Sequence, residues 1–257
     1  MNFKIALSML LLFSFIGAYF LYRNDAQIQD NVFIVGTTAG YAPFVSINEQ
    51  GEYEGFDIDV AKLLTQKLGK KLILKDLGSM TGLFMALNQG SIDAIMWGLS
   101  ITPDRLKKVV LINYQEKLIT SYPLLFWENI PAGITCINDM RGMTICVEPN
   151  SSQDAVLSKY AFIIKKPIEQ IDDALLSIQY HKADAALVEP AIAKKFKNRY
   201  SQIQMLNVNL NKEEQEQGIG IAIKKENNFL IKQIKKAINE LKRDGIIKQY
   251  EEKWDVI

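Results

Sequence analysis

The chain has one histidine, His181, two cysteines, Cys136 and Cys146, and no surplus of either charge, with 30 Lys and Arg against 29 Asp and Glu. So few ligands exclude a Cys/His zinc site. A Ser-His-Asp triad is available only if His181 is its base. A balanced chain also lacks the cationic excess with which nucleic-acid binders neutralise phosphates. No metal, cofactor or nucleic-acid partner is therefore expected. Apolar residues are not scarce: 48% of the 257 residues are hydrophobic. That fraction excludes a disordered or fibrous chain, and the length suffices for one large domain or two small ones around a sizeable core.

Residues 1–22 read MNFKIALSMLLLFSFIGAYFLY, with Lys4 ahead of an uncharged, mostly apolar run. This is the pattern of a secretory signal peptide, expected to end by about residue 26. The run is also about as long as the ~20 apolar residues that span a bilayer, so a retained anchor is the alternative. No cysteine follows it until Cys136, which excludes a lipid-modified cysteine anchor. Removing residues 1–26 takes away Lys4, Arg23 and Asp25 and leaves the charges balanced. Export also bears on the cysteines. A disulfide between Cys136 and Cys146 would close a short loop and stabilise it by ~2–3 kcal/mol. The other reading is two small buried residues, since free cysteine packs as a hydrophobe.

From residue 31 onward, short apolar runs alternate with amphipathic stretches. VFIVGTT (32–38), KLILKDL (71–77) and IDAIMWGLS (92–100) read as strands. EGFDIDVAKLLTQKLGK (54–70) places Ile58, Ala61, Leu64 and Leu68 at helical spacing. Residues 81–89 form a short helix stopped by Gly90. The alternation indicates an α/β fold with parallel strands. DDALLSIQYHKADAALVEP (172–190) repeats the plan of LFMALNQGSIDAIMWGL (83–99), each with a short helix, a turn, an Asp-Ala pair and an apolar strand. Two similar α/β lobes follow from that repeat. The segment 227–247 carries Leu230, Ile231, Ile234, Ala237, Ile238 and Leu241 on one stripe, with Lys232, Lys235, Lys236, Lys242 and Arg243 largely off it.

Four turns end apolar strands, at residues 37–44, 97–105, 148–153 and 189–190. In open α/β sheets ligands bind at such carboxyl ends. Together the turns offer one Arg, two Glu, several hydroxyls and two large aromatics, an inventory suited to a small polar molecule.

The segments VGTTAGYAPFVSINEQGEYEGFDIDVAKLLTQKLG, GSIDAIMWGLSITPDRLKKV and GIGIAIKKENNFLIKQIKKAINELKRDGIIKQYEEKW carry a resemblance. They are similar to the periplasmic amino-acid-binding proteins of ABC uptake transporters, in the branch for polar amino acids and nearest the arginine and basic amino-acid binders. The resemblance spans 31–257. It implies a two-lobe periplasmic-binding-protein fold (type II), each lobe a mainly parallel sheet flanked by helices, with the ligand cleft between them. Lobe 1 would comprise 31–116 plus 218–257 and lobe 2 119–214. Hinges would lie near 115–120 and 215–218. The implied partners are an amino acid and a membrane permease, and the implied place is the periplasm, as a monomer.

Residue by residue, Arg105 matches the family arginine that grips the ligand α-carboxylate, with Gly98, Ser100 and Ser152 beside it. An arginine near a helix start, where positive charge is disfavoured, is better explained by a bound anion. Glu189 matches the acid that takes the α-ammonium. Ser151 and Gln153 flank Ser152. Tyr41 falls where the family stacks an aromatic on the ligand side chain. Trp97 and Glu148 depart from the common pattern. An aromatic pair with an extra acid suits a cationic side chain, because guanidinium stacks on π faces. Thr38 and Asp57 could add acceptors, although helix capping also accounts for Asp57. Arginine is the expected ligand, with lysine, ornithine, histidine and glutamine as alternatives. An enzyme reading, a dehydratase of amino-acid precursors as some similar proteins are, needs a positioned general acid that Glu189 or Glu148 could supply. An ammonium-paired carboxylate is a poor acid, so no enzyme is expected. A surface receptor on the same fold is a third class.

Overall fold

A computed structural model describes residues 31–256 of the chain, except the side chain of Glu116. The expected signal segment lies outside the described residues. No described helix is long and apolar enough to cross a membrane.

The chain builds two five-stranded sheets, leaving the first for the second and returning to it with one last strand. The first contains β1 (Val32–Thr37), β4 (Lys71–Asp76), β5 (Ala94–Ile95), β6 (Val110–Ile119) and β12 (Glu216–Ile223), in the order β4-β1-β5-β12-β6. The second contains β7 (Ser121–Trp127), β8 (Thr144–Val147), β9 (Ile164–Pro167), β10 (Ala185–Leu187) and β11 (Ile203–Asn209), in the order β11-β7-β10-β8-β9. The short pair β2 (Ser46–Ile47) and β3 (Tyr53–Glu54) stands apart. Each large sheet has a parallel half and an antiparallel half. Its helices are α1 (Phe56–Leu68), α2 (Met80–Gln89), α3 (Pro103–Lys108), α7 (Asn228–Arg243) and α8 (Ile246–Lys253) for the first sheet, and α4 (Ser152–Leu157), α5 (Ile171–Gln179) and α6 (Pro190–Arg199) for the second.

The Asp-Ala repeat has a physical basis. Asp93 accepts from the Ile34 amide of β1 at 2.7 Å, and Asp184 accepts from the Thr144 amide of β8 at 2.7 Å. Each aspartate returns its own amide to the carbonyl of that same residue. The pair thus pins the entry of one parallel strand to its neighbour in both lobes. The third strand of the first sheet is shorter than its apolar run suggests, pairing only over Ala94–Ile95. Beyond it the chain bends into the turn at Gly98.

Of the C-terminal segment, α7 buries Leu230, Ile231, Ile234, Ala237, Ile238 and Leu241, the stripe its spacing predicts. It packs with α8 over α1 and β6. The chain passes from the first sheet to the second at Thr120 and returns over 210–215. The two passages form one ladder, with Asn209 opposite Ser121, the Leu210 amide donating to the Thr120 carbonyl at 2.9 Å, and Glu216 opposite Ile119.

The cysteines do not pair. Cys136 is exposed at the start of a short 3₁₀ turn and Cys146 is buried in β8, both as thiols. Alternation along β8 explains the separation. Ile145 and Val147 face a core shared with Ile137 and Met140, next to Cys136, whereas Cys146 faces the opposite core. The disulfide expectation fails on that geometry, and the expectation of two buried cysteines holds for Cys146 only.

The start of α1 is held by the preceding loop. The amides of Phe56 and Asp57 donate to the carbonyls of Pro43 and Phe44 at 2.9 and 3.1 Å, satisfying two groups that a helix start leaves unpaired. Gly55 makes this possible. Its φ is +129°, and a Cβ there would lie 2.2 Å from the Phe44 carbonyl oxygen. Gly55→Ala is therefore expected to destabilise the protein by about 2 kcal/mol or more, read as a lower thermal midpoint. An unchanged midpoint would refute this role for the loop.

Candidate binding site

The ends of the parallel strands of both sheets converge on one cavity. It is lined by Tyr41 after β1, Met80 at the start of α2, Trp97, Gly98 and Ser100 after β5, and Arg105 in α3. From the other sheet come Glu148, Ser151, Ser152 and Gln153 after β8, and Glu189 after β10. Ten of the twelve residues singled out above meet here. Thr38 and Asp57 stand back from it.

The two that stand back are both buried and already engaged. The Thr38 hydroxyl donates to the Thr37 carbonyl at 2.9 Å. Asp57 makes no helix-capping bond. Its carboxylate accepts from the Gly98 amide at 2.5 Å and from the Tyr114 hydroxyl at 2.6 Å. Burial pushes Asp57 up to about 7, against the pull of the Tyr114 and Gly98 bonds. Asp57 therefore holds the Gly98 turn from behind. That turn needs glycine, with φ at +55° and a Cβ position 2.9 Å from the Phe44 ring.

Arg105 is 8% exposed. Its guanidinium donates to the Ser100 carbonyl at 2.9 Å and lies 3.9 Å from the Met80 sulfur. No described carboxylate pairs with it. A buried guanidinium without a carboxylate is costly unless an anion completes it.

Across the cavity, Glu189 accepts from the Gln153 side-chain amide at 2.7 Å and from the Ser100 hydroxyl at 3.1 Å. The Ser100 bond ties the two sheets' loops together, as does Asn150, which donates to Thr81 at 3.2 Å. Burial, and next the charge of Glu216, push Glu189 up to about 8, while Gln153, Ser100 and Arg105 pull it down. Burial pushes Glu148 up to about 8, opposed by Arg105 and helped by Glu169. Tyr41 and Trp97 meet with ring centroids 5.0 Å apart at 47°, and Phe44 stacks with Tyr41 at 5.7 Å. The Trp97 indole N–H and the Ser152 hydroxyl are buried without partners. Ser151 is committed as the cap of α4, accepting from the Asp154 amide at 3.0 Å.

Two residues near the cavity were not anticipated. Met80 carries no sequence signal beyond its place after a capping serine, Ser79. Glu216 is wholly buried with both carboxylate oxygens unpartnered. An acidic residue opening the apolar run GIGIAI was its only mark in the sequence.

The assembled site has one guanidinium awaiting an anion, acids awaiting cations, and an aromatic wall. Residues 33–256 match the family model described as bacterial extracellular solute-binding proteins, family 3. The probable ABC transporter arginine-binding protein ArtJ of Chlamydia trachomatis is 31% identical over 90% of this chain and 89% of its own. An ancestral arginine-binding protein solved with arginine superposes with a TM-score of 0.77 at 28% identity, covering 87% of this chain and 98% of its own. An ancestral amino-acid-binding protein, a precursor of cyclohexadienyl dehydratase, gives a TM-score of 0.77 at 26% identity, covering 90% of this chain and 98% of its own.

Proposed function

The chain belongs to the bacterial extracellular solute-binding proteins, family 3, and on that premise we propose that it captures L-arginine in the cavity and delivers it to the permease of an ABC importer. The observation that carries the reading is Arg105, a buried guanidinium with no carboxylate partner, facing acids in the same cavity. The ligand α-carboxylate completes Arg105 with a bidentate pair. Glu189 takes the α-ammonium, with Ser100 and Gln153 fixing its orientation. Glu148 takes the ligand guanidinium, which lies against Tyr41 and Trp97. Thr38 and Asp57 are not assigned ligand contacts.

In this reading the lobes are 31–116 with 218–257, and 119–214. The hinges are the crossings near 115–120 and 215–218, where the paired passages of β6–β7 and β11–β12 run side by side. Ligand bridging both lobes favours the closed state. The protein works in the periplasm as a monomer, exported by its N-terminal segment.

Calorimetric titration of ligand-stripped protein with a panel of amino acids tests the ligand. Arginine is expected to bind at micromolar affinity or tighter, about −8 kcal/mol. Binding of glutamine with no response to arginine, lysine, ornithine or histidine would overturn the side-chain assignment. Glu148→Gln is expected to cut the preference for arginine over its neutral isostere citrulline by about tenfold or more, measured as a ratio of dissociation constants. An unchanged ratio would remove Glu148 from the guanidinium site.

One feature favours a second reading. Burial pushes Glu148 and Glu189 up to about 8, which favours the protonated form that a dehydratase's general acid needs at neutral pH. An ammonium at Glu189 would ionise it and defeat that role. Product release from an amino-acid precursor, followed spectroscopically, separates the two.

A further inference from the structure

Glu216 has no part in the ligand contacts assigned above. It opens β12 opposite Ile119, where the chain re-enters the first sheet. It is wholly buried, and neither carboxylate oxygen has a hydrogen-bond partner. A charge left in that condition costs several kcal/mol, so the group is either neutral or matched by a cation.

The groups that face it come from every element packed around it. Glu189 stands at the start of α6, Arg105 in α3, Tyr122 in β7, Ser152 at the start of α4, and Ser100 in the loop after β5. Tyr41 feels its charge across the cavity. The one cation among them, Arg105, gives one N–H to the Ser100 carbonyl; its charge pulls both acids down, but it forms an ion pair with neither. The hydroxyls of Ser152, Tyr122 and Ser100 lie near Glu216 and favour its charged form, but none of them completes a hydrogen bond to it. Ser100 stands between the two acids and donates to Glu189. Two buried carboxyls, joined through one serine and short of a cation, cannot both be ionised in the empty protein.

We propose that Glu216 and Glu189 form a single proton-sharing carboxyl pair, and that the pair gives up its proton to solvent when the ammonium of an amino acid enters beside it. Burial raises both groups above the ordinary carboxylate range, and the charge of Glu216 adds to the rise of Glu189, in keeping with a shared proton. The exchange keeps the net charge of the pair and the cation it holds at −1, both empty, with the shared proton, and loaded, with the ammonium. It also makes Glu216 a positioning residue, set at the crossing between the lobes, that couples capture of an ammonium to pH. The inference rests on the amino-acid reading of the site for its ligand, but not on arginine in particular.

Two measurements test it. In ligand-free protein labelled with ¹³C at the glutamate carboxyls, Glu189 and Glu216 are expected to titrate as a pair in two separated steps. The upper step should lie well above the ordinary carboxylate range, and Glu216→Gln should abolish the separation. Titration of both groups in the ordinary range, or an unaltered Glu189 in the variant, would overturn the proposal. Calorimetry in buffers of different ionisation enthalpy near neutral pH should show about one proton released by this pair per arginine bound. Glu216→Gln should lower that release while Glu148→Gln leaves the pair's share in place. Equal release in wild type and Glu216→Gln would overturn the exchange. Failure of arginine to bind would strike the ligand assignment alone, because the first titration is read without ligand.

Discussion

Replacing Arg105 by alanine is expected to weaken binding of arginine, and of any other α-amino acid, by about 100-fold or more. Truncating one member of a buried, hydrogen-bonded charge pair typically costs ~2–5 kcal/mol. Here the truncated member is the only cation among the described residues that line the cavity, and without it the α-carboxylate would face Glu148 and Glu189 with no cation to offset them. The stability of the empty protein should move the other way. Arg105 is buried with a carbonyl for its main partner, so its charge is a burden until an anion arrives. Ligand-free Arg105→Ala should melt no lower than wild type, while arginine no longer raises its melting temperature. Arg105→Lys restores charge but not the planar fork, and should recover only part of the affinity. A variant that binds arginine normally would sink the carboxylate assignment. A variant that melts well below wild type without ligand would show that Arg105 serves the fold instead.

The same contrast explains how far the sequence could be read. Glu189, Ser100 and Trp97 sit in turns just after apolar strands, with Arg105 in the short helix that follows one of them, and strand ends are where an α/β sheet places ligands. Their spacing was therefore informative. The Asp-Ala repeat reported two matching lobes because Asp93 and Asp184 do the same work in each, bonding the entry of the neighbouring strand. The stripe on α7 was readable for a similar reason, since one helix face needs no knowledge of what covers it.

Asp57 was misread because its partners are distant in sequence. Tyr114 and Gly98 reach it only once β5 and β6 lie over α1, and a carboxylate at a helix start looks like a cap until they do. Cys136 and Cys146 were close in sequence but lie across opposite faces of β8, a separation that spacing alone does not carry. Glu216 is the extreme case. An acid at the head of a strand is unremarkable, and its meaning comes from Glu189, Ser152 and Tyr122, all contributed by the second sheet.

Those buried acids also set the pH response of the whole protein. Burial holds Asp57 at about 7 and Glu148 and Glu189 at about 8 in the empty protein, all above their ordinary values of 3.8 and 4.5. A carboxyl raised in this way binds more protons folded than unfolded. Between its unfolded and folded pKa values, stability therefore falls as pH rises. Each such group removes about 1.4 kcal/mol per pH unit across its window, and together the windows span about pH 4 to 8. The melting temperature of the ligand-free protein should thus be higher near pH 5.5 than near pH 8.5 by about 5 °C or more. Arginine flattens the trend. Its two cations lower the pKa values of Glu148 and Glu189 in the complex, so the liganded protein loses little stability over the same range. By linkage, affinity rises with pH toward about 8, by up to tenfold per unit for each carboxyl whose proton is displaced. Melting curves with and without arginine across this range, with titrations at each end, measure both slopes. A ligand-free melting temperature that is flat or rises with pH would show that these acids are already ionised in the empty protein. The cavity would then be an anionic trap at every pH, and the cation it takes up would no longer have to displace a proton.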